Sequence, residues 1–229
     1  MSSGGRAQKH PALYVVTDRH ATDGRPLELV LAGVLEGAAR AGVSPGTVAV
    51  QLREKDLEAR ALLELARPLR ALTARHGAAL YINDRADVAL AAGADGVHLS
   101  GTSLSPSEIA VIAPTLSIAV SAHGSDDVAR AAALAATGKA NIRFAVLGPI
   151  FDTPSKRRYG TPLGLGAIRA ASGTLPVLAI GGISVGNIRS CLTAGADGIA
   201  CIRALLTEEN PQEIAFLISQ AILEGAPTH

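Results

Sequence analysis

The sequence predicts a single (β/α)8 barrel, because short apolar segments alternate with longer segments of helical periodicity eight times along 229 residues. No linker interrupts the alternation, so the predicted domain spans 12–225 and follows a disordered or extended segment at 1–11. The pentapeptide Ala-Gly-Ala-Asp-Gly occurs at 92–96 and again at 194–198. If these copies enter strands four and eight, each unit averages about 25 residues, which is typical of this barrel. The repeat would then lie at the N-terminal face and serve folding.

The eight strands are predicted from apolar segments that Gly, Pro and polar residues interrupt. In order, they comprise 13–17, 47–52, 79–82, 96–99, 117–121, 142–147, 177–180 and 198–202. Helices are predicted between them, for example at 57–76 and 210–223, where apolar residues recur every three or four positions. Capping signals mark three helix starts, namely Ser105 followed by Pro106 and Glu108, Asp126, and Asn187.

The composition is that of a helix-covered parallel sheet, with 48% hydrophobic residues, 3% aromatic residues and no Trp. The 21 basic and 20 acidic residues leave a net charge of +1, which argues against a general nucleic-acid or membrane-surface role. Cys191 and Cys201 lack metal-ligand spacing and are predicted to be reduced core residues. Neither a signal-peptide pattern nor a run of about eighteen apolar residues occurs, so a soluble cytoplasmic protein is expected.

In such a barrel, chemistry is expected at the C-terminal ends of the strands. After strand two, alternate residues Gln51, Arg53 and Lys55 share one face of extended chain and suit a polyanion. Alternatively, the two cations pair with Glu54 and Asp56 on a solvated loop.

Strand three leads into Asn83 and Asp84, which could orient a substrate amine or hold Mg²⁺. Alternatively, Asp84 caps the helix that begins at Arg85. Strand five ends at Ser121, followed by His123, for which a catalytic and a non-catalytic role remain equally open. His98 lies within strand four and is predicted to be a hydrogen-bonded core histidine rather than a ligand.

The stretch 146–165 begins as a buried strand and continues into a polar, cationic loop. Its hydroxyls, amides and Lys suit a phosphate or pyrophosphate, although a solvated basic loop is the alternative. The candidates are Thr153, Pro154, Ser155 and Lys156. A phosphate cradle is predicted at the ends of strands seven and eight from Gly181, Gly182, Ile202 and Arg203, unless the two glycines form only a tight turn.

Six segments, in order along the chain, resemble motifs of the thiamine phosphate synthase and TenI superfamily. They are Gln-Leu-Arg-Glu-Lys at 51–55, Ile-Asn-Asp-Arg at 82–85, Gly-Ala-Asp-Gly-Val-His-Leu at 93–99, Gly-Pro-Ile-Phe at 148–151, Thr-Pro-Ser-Lys at 153–156 and Ile-Gly-Gly-Ile at 180–183. The similarity extends from about Leu13 to Leu223. It implies an enzyme that condenses hydroxymethylpyrimidine diphosphate with a thiazole phosphate, giving thiamine phosphate and pyrophosphate.

The resemblance assigns roles to the candidate residues. Pyrophosphate would be held by Gln51, Arg53, Lys55 and Lys156. The pyrimidine would contact Asn83 and Ser121, and the thiazole phosphate would contact 153–155, Gly182, Ile202 and Arg203. The implied chemistry is dissociative, so positioning and neutralisation of the leaving group would supply most of the acceleration. The expected partners are these small molecules, with no nucleic acid or membrane, and the chain could form a homo-oligomer.

Two positions depart from the synthase pattern. Ser103 stands where a second Asp usually shares Mg²⁺ with the Asp of the Asn-Asp pair, so a metal would depend on Asp84, water and the diphosphate. Arg203 stands where Ser is usual. The segment around Ser103 is more similar to the TenI branch of thiazole tautomerases, whose catalytic histidine matches His123. A synthase is preferred because most of the residues that the family uses to bind the diphosphate are present. The alternatives are a tautomerase and a non-catalytic barrel that binds a thiamine precursor.

Overall fold

The computed structural model describes residues 10–153 and 161–225. Eight parallel strands close into a barrel in chain order, and the last strand pairs with the first. The strands are β1 Leu13–Val16, β2 Val48–Leu52, β3 Ala79–Asn83, β4 Gly96–Leu99, β5 Ser117–Ala122, β6 Ile142–Leu147, β7 Val177–Ile180 and β8 Gly198–Cys201. The predicted (β/α)8 barrel is therefore confirmed.

Helices follow the strands and cover the outside of the barrel in the part of the chain that is described. They are α1 Leu27–Arg40, α2 Ala59–Arg75, α3 Ala86–Ala92, α4 Pro106–Ile112, α5 Ser125–Ala136, α6 Gly164–Ala171, α7 Ile188–Thr193, α8 Arg203–Leu206 and α9 Pro211–Gly225. None of these helices is long and apolar enough to cross a membrane.

Four strands end one residue earlier or later than predicted, at the end of the barrel expected to carry chemistry. Thr17 lies beyond β1, although its N–H still donates to Gln51 O at 2.9 Å. Ile202 lies beyond β8, because its backbone turns to φ −118° and ψ −91° at the position that precedes α8. Conversely, β3 extends to Asn83 and β5 to Ala122, so the polar residue Asn83 belongs to the strand itself.

The capping signals had different outcomes. Ser105 and Glu108 form the predicted capping box, in which Ser105 Oγ accepts from Glu108 N at 3.3 Å and Glu108 Oε2 accepts from Ser105 N at 2.7 Å. The prediction for Asp126 was wrong, since α5 begins at Ser125 and Asp126 lies in its first turn. Asn187 precedes α7 as predicted, but its side chain reaches back and accepts from Ser184 N at 2.9 Å.

The repeated pentapeptide serves strand entry, as predicted. Asp95 Oδ2 accepts from Leu80 N at 2.7 Å, and Asp197 Oδ2 accepts from Val177 N at 2.8 Å. Each Asp therefore satisfies a donor on the neighbouring strand at the N-terminal face of the barrel, away from the strand ends expected to carry chemistry.

The core has two parts, one between strands and helices and one inside the barrel. The outer part consists mainly of aliphatic side chains and includes both free cysteines, whose pKa values burial raises to about 11 at Cys191 and about 12 at Cys201. The interior contains three aromatic rings that pack edge to face, with centroids 5.2–5.8 Å apart. These rings belong to Tyr14, Tyr81 and Phe144, and they fill the lower part of the barrel beneath the strand ends.

Candidate active site

Polar side chains form the layer above the apolar interior of the barrel. Side chains alternate across a strand, so the second residue after an inward-facing one also faces inward. Ala49, Tyr81 and Ala119 lie in the interior cluster. The residues two positions further along these strands are Gln51, Asn83 and Ser121. The structure thus brings together three of the predicted site residues at the C-terminal mouth of the barrel.

A line of hydrogen bonds connects two neighbouring strands at this mouth. Gln51 Nε2 donates to Asn83 Oδ1 at 3.0 Å, and Asn83 Nδ2 donates to Asp84 Oδ2 at 2.9 Å. Ser103 Oγ donates to the other oxygen of Asp84, and Ser103 Oγ accepts from Ser100 N at 2.6 Å. Gln51 and Asn83 are buried, so these bonds orient both amides toward defined donor and acceptor positions.

Asp84 does not cap α3, which contradicts the alternative interpretation of that residue. The residue at the capping position is Arg85, and no side-chain cap bond is made there. Asp84 instead has a φ of +60°, and its N–H donates to His98 O at 2.9 Å. This left-handed conformation is uncommon outside Gly, Asn and Asp, and it directs the carboxylate to the hydroxyl groups of the β4–α4 loop.

The side chains around Asp84 can be compared with the ligands that Mg²⁺ requires. In residues 10–153 and 161–225, no group of three or more His, Cys, Asp or Glu side chains could hold a metal ion. Asp84 is therefore a lone carboxylate, with the hydroxyl groups of Ser100 and Ser103 beside it. Mg²⁺ accepts one or two carboxylates when water and substrate phosphate complete its shell. The donor set fits Mg²⁺ that arrives with a phosphate-bearing substrate.

A second line of hydrogen bonds rises from the barrel interior to the mouth. Tyr14 Oη lies 3.1 Å from His98 Nδ1, and His98 Nε2 lies 2.9 Å from Ser121 Oγ. The pKa of His98 is lowered to about 3, chiefly by burial; the Asp84 carboxylate raises it, and the Arg53 guanidinium lowers it. His98 is therefore a neutral, hydrogen-bonded core histidine, as predicted, and the charges of Arg53 and Asp84 both act on it.

Arg19 binds the two carboxylates of the segment after β2, Glu54 and Asp56, and so takes the place expected for Arg53 and Lys55. Glu54 is 5% exposed and accepts from Thr17 Oγ1 at 2.6 Å and from Arg19 Nη1 at 3.1 Å. Asp56 accepts a second pair of bonds from the Arg19 guanidinium, which lowers the pKa of Asp56. The alternative in which Arg53 and Lys55 neutralise these acids is contradicted for this reason.

Arg53 and Lys55 consequently keep their charge available at the barrel mouth. Neither side chain forms an ion pair with another residue in the described ranges, Arg53 being half-buried and Lys55 exposed. The backbone of Arg53 is held firmly, because its N–H donates to Thr17 Oγ1 at 2.9 Å. Two unpaired cations on a fixed segment favour the binding of a polyanion.

His123 lies on the loop after β5 and is exposed. Its ring Nδ1 lies 3.0 Å from Gly148 O, and its N–H donates to Asp127 Oδ2 at 2.7 Å. The ring therefore spans from the end of β5 to the end of β6, with Nε2 left without a partner among residues 10–153 and 161–225. Nε2 is therefore the ring nitrogen that is available for a ligand or for proton transfer.

The two glycines after β7 pack closely on the loop after β6. Gly181 and Gly182 have φ values of +96° and +65°, and an added Cβ would lie 2.7 Å from Pro149 Cα and 2.8 Å from Asp152 O, respectively. Both positions therefore require Gly. Thr153 is half-buried next to this contact and has its own interactions. Pro154, Ser155 and Lys156 lie outside the described residues, and so do Arg157 and Arg158.

Ile202 and Arg203 begin α8 at the end of β8. Ile202 packs on the barrel interior and is half-buried, whereas Arg203 is exposed. Leu205 N and Leu206 N both donate to Ile202 O at 3.1 Å, and the amides of Arg203 and Ala204, which come first in α8, have no acceptor within the helix. This helix start lies at the predicted end of the barrel, and its phosphate-binding role stays a prediction.

Sequence patterns missed Tyr14, Thr17 and Arg19, and they did not show that Glu54 binds Arg19 or that His98 connects Tyr14 to Ser121. Two signals could have revealed part of this network. A lone acid between two cations, as in 53–55, needs a counter-charge from elsewhere in the chain. A His one residue before the last residue of a buried strand can face inward at the mouth of the barrel, as His98 does.

The comparisons with known proteins agree with this geometry. Residues 13–205 match the family model described as thiamine monophosphate synthase. A relative from Geobacter sulfurreducens, provisionally named as a thiamine-phosphate synthase, is 46% identical over 208 residues, covering 89% of this chain and 91% of the relative. The thiamine-phosphate synthase of Albidiferax ferrireducens is 40% identical over 213 residues, covering 92% of this chain and 91% of that protein.

Solved structures give the same relationship. A thiamine phosphate pyrophosphorylase from Pyrococcus furiosus is 31% identical with a TM-score of 0.80, and the match covers 96% of this chain and 99% of that one. A 3-hexulose-6-phosphate synthase, at 20% identity and a TM-score of 0.60, shares the fold alone. The resemblance predicted from the motifs is confirmed, and the chain belongs to the thiamine monophosphate synthase family.

Proposed function

We propose that this chain is a thiamine-phosphate synthase, a transferase that joins a hydroxymethylpyrimidine diphosphate to a thiazole phosphate and releases pyrophosphate. The observation that carries the proposal is the pairing of Arg19 with both acids of the segment after β2. This pairing leaves Arg53 and Lys55 as uncompensated cations beside the polar mouth, where a diphosphate would be neutralised. The names of the relatives that match over most of the chain support the same activity.

The mouth offers different chemistry to the two ends of the pyrimidine substrate. Gln51, Asn83 and Ser121 supply amide and hydroxyl groups on the inward face, which suit the ring nitrogens and the amine of an aminopyrimidine. Arg53 and Lys55, with Lys156 as a further predicted cation, would hold the diphosphate. Such a division would orient the bond between the methylene carbon and the diphosphate oxygen.

The reaction breaks that carbon–oxygen bond, and its electron pair leaves with pyrophosphate. The thiazole nitrogen then uses its lone pair to form the new carbon–nitrogen bond. Little covalent work is left to the protein, so fixed cations and a shaped, water-poor mouth would supply most of the acceleration. Mg²⁺, held by Asp84 and the substrate oxygens, would add positive charge to the leaving group.

A second candidate, thiazole tautomerisation, rests on the geometry of His123. Its Nδ1 is engaged by Gly148 O, so Nε2 could transfer a proton at the mouth. The hydrogen bond from Ser103 to Asp84 also fits a site in which no second carboxylate is required. A tautomerase, however, makes no use of Arg53 and Lys55 as a diphosphate grip, and the synthase is preferred for that reason.

The direct test is incubation of the protein with pyrimidine diphosphate, thiazole phosphate and Mg²⁺, followed by detection of thiamine phosphate. Arg53→Ala is the informative variant, and Arg60→Ala, which removes an exposed cation of α2, is its matched control. Product that depends on Arg53 but not on Arg60 supports the proposal. Tautomerised thiazole without thiamine phosphate would favour the second candidate, and binding of thiazole phosphate without any turnover would favour a non-catalytic barrel.

A further inference from the structure

The hydrogen bonds from Tyr14 through His98 to Ser121 connect the barrel interior to the candidate substrate site. Tyr14 is completely buried, and within the described ranges its hydroxyl has one partner, His98 Nδ1, at 3.1 Å. His98 is 3% exposed, and its other ring nitrogen lies 2.9 Å from Ser121 Oγ. Ser121 is half-buried at the mouth. Proton positions along this line therefore decide what Ser121 presents to a ligand.

The packing around Tyr14 holds its hydroxyl in place. The rings of Tyr81 and Phe144 lie edge-on to it at 5.8 Å and 5.2 Å, and the His98 ring is stacked nearly parallel at 5.8 Å with an angle of 18°. The Tyr14 ring cannot swing toward another acceptor without disturbing these contacts. A buried hydroxyl proton that lacks an acceptor is costly, so Tyr14 donates and His98 Nδ1 accepts.

An imidazole that accepts at Nδ1 carries its proton on Nε2. His98 Nε2–H therefore donates to Ser121 Oγ. Ser121 in turn uses one lone pair as the acceptor and keeps its own hydroxyl proton, for which no protein acceptor exists within 10–153 and 161–225. If His98 carried its proton on Nδ1 instead, the Ser121 hydroxyl would donate to His98 Nε2. Ser121 could then only accept a hydrogen bond from a ligand.

We propose that Tyr14 and His98 are positioning residues that keep the hydroxyl proton of Ser121 free for a hydrogen bond to a lone pair on the heterocycle of the diphosphate substrate. This inference rests on the proposed function. It makes the mouth selective for a ring that presents a bare nitrogen or another acceptor toward Ser121. A ring that presents an N–H at that point would leave the Ser121 hydroxyl proton without an acceptor, and its binding would be disfavoured.

The test is Tyr14→Phe, which keeps the packing of the ring and removes the donor to His98. We expect kcat/KM for the pyrimidine diphosphate to fall about tenfold, as for the loss of one oriented hydrogen bond, with unchanged affinity for pyrophosphate alone. Tyr81→Phe is the matched control, because Tyr81 lies in the same aromatic cluster but, among the described residues, its hydroxyl makes no hydrogen bond to His98 or Ser121. We expect little change in kcat/KM for that variant.

A double-mutant cycle separates positioning from general loosening of the core. If Tyr14 acts through Ser121, then Tyr14→Phe has almost no further effect on kcat/KM in the Ser121→Ala background. Additive losses, or equal losses in Tyr14→Phe and Tyr81→Phe, would overturn the proposal.

Nitrogen NMR of the parent protein examines the same inference without any substrate. We expect the neutral His98 tautomer with the proton on Nε2, and a proton on Nδ1 would refute the proposed line of donors. A parent protein that makes no thiamine phosphate would defeat the proposed function, whereas the NMR experiment would still decide how Ser121 is oriented.

Discussion

Thr17→Val isolates the contact that fixes the cationic segment after β2. The Thr17 hydroxyl donates to Glu54 Oε1 at 2.6 Å and accepts from Arg53 N at 2.9 Å, and Thr17 is completely buried. Valine has nearly the same shape but cannot make either bond. The substitution therefore removes the connection between the buried acid and the backbone of Arg53 while leaving the Arg19–Glu54 ion pair in place.

The expected cost follows from the two bonds that are lost. A bond to a charged acceptor contributes about 2 kcal/mol, and an N–H left without an acceptor costs about 1 kcal/mol more. The free energy of unfolding should therefore fall by about 3 kcal/mol, which for a chain of this size lowers Tm by about 6–12 °C. Because the backbone of Arg53 is released, affinity for pyrophosphate should also weaken, by about tenfold.

Urea or thermal unfolding measures the first effect, and isothermal titration with pyrophosphate measures the second. Thr73→Val is the matched control, since Thr73 is also completely buried but its hydroxyl has one partner among the described residues, Arg70 O, at 3.1 Å within α2. That variant should lose about 1 kcal/mol and bind pyrophosphate normally. If both variants lose the same stability and affinity, the proposed role of Thr17 in holding Arg53 is wrong.

Three further variants test the remaining parts of the site. Ser103→Asp places a second carboxylate beside Asp84 and should lower the Mg²⁺ concentration needed for half-maximal condensation. The control Thr102→Asp adds the same charge at an exposed neighbour and should leave that concentration unchanged. Equal Mg²⁺ titrations for the two variants would contradict a Mg²⁺ site at Asp84 that lacks a second carboxylate. His123→Ala should abolish any tautomerisation measured by proton exchange on the thiazole and spare condensation, and loss of both activities would indicate a shared or structural role. Lys156→Ala should reduce condensation by orders of magnitude without changing the circular dichroism spectrum, and a rate equal to that of the parent would remove Lys156 from the mechanism.

The charged residues of segment 51–55 show what a sequence motif can and cannot establish about a binding site. The segment 51–55 contains two cations and one acid, and its composition alone allowed either a self-neutralised loop or an anion site. Arg19, more than thirty residues earlier, decides between them because it binds both Glu54 and Asp56. A buried carboxylate requires a partner, and only the folded chain shows which cation provides it.

Local sequence signals succeeded where the physics is local. Apolar segments of strand length, the capping box at Ser105 and the strand-entering aspartates Asp95 and Asp197 all depend on neighbours within a few residues or on one adjacent strand. The prediction for Asp126 failed because an acceptor side chain at the second residue of a helix has the same local sequence pattern as a true N-cap.

The sequence by itself determined the number and order of strands, the barrel they form and the family, because periodicity and ordered motifs are properties of the linear chain. Only the tertiary structure decided that Arg19 compensates the acids after β2, that Ser103 binds Asp84, and that Tyr14 reaches Ser121 through His98. These contacts join residues separated by 19 to 84 positions, and their partners are selected by strand register and burial. No local pattern encodes them, since a hydrogen bond across a barrel exists only once the barrel has closed.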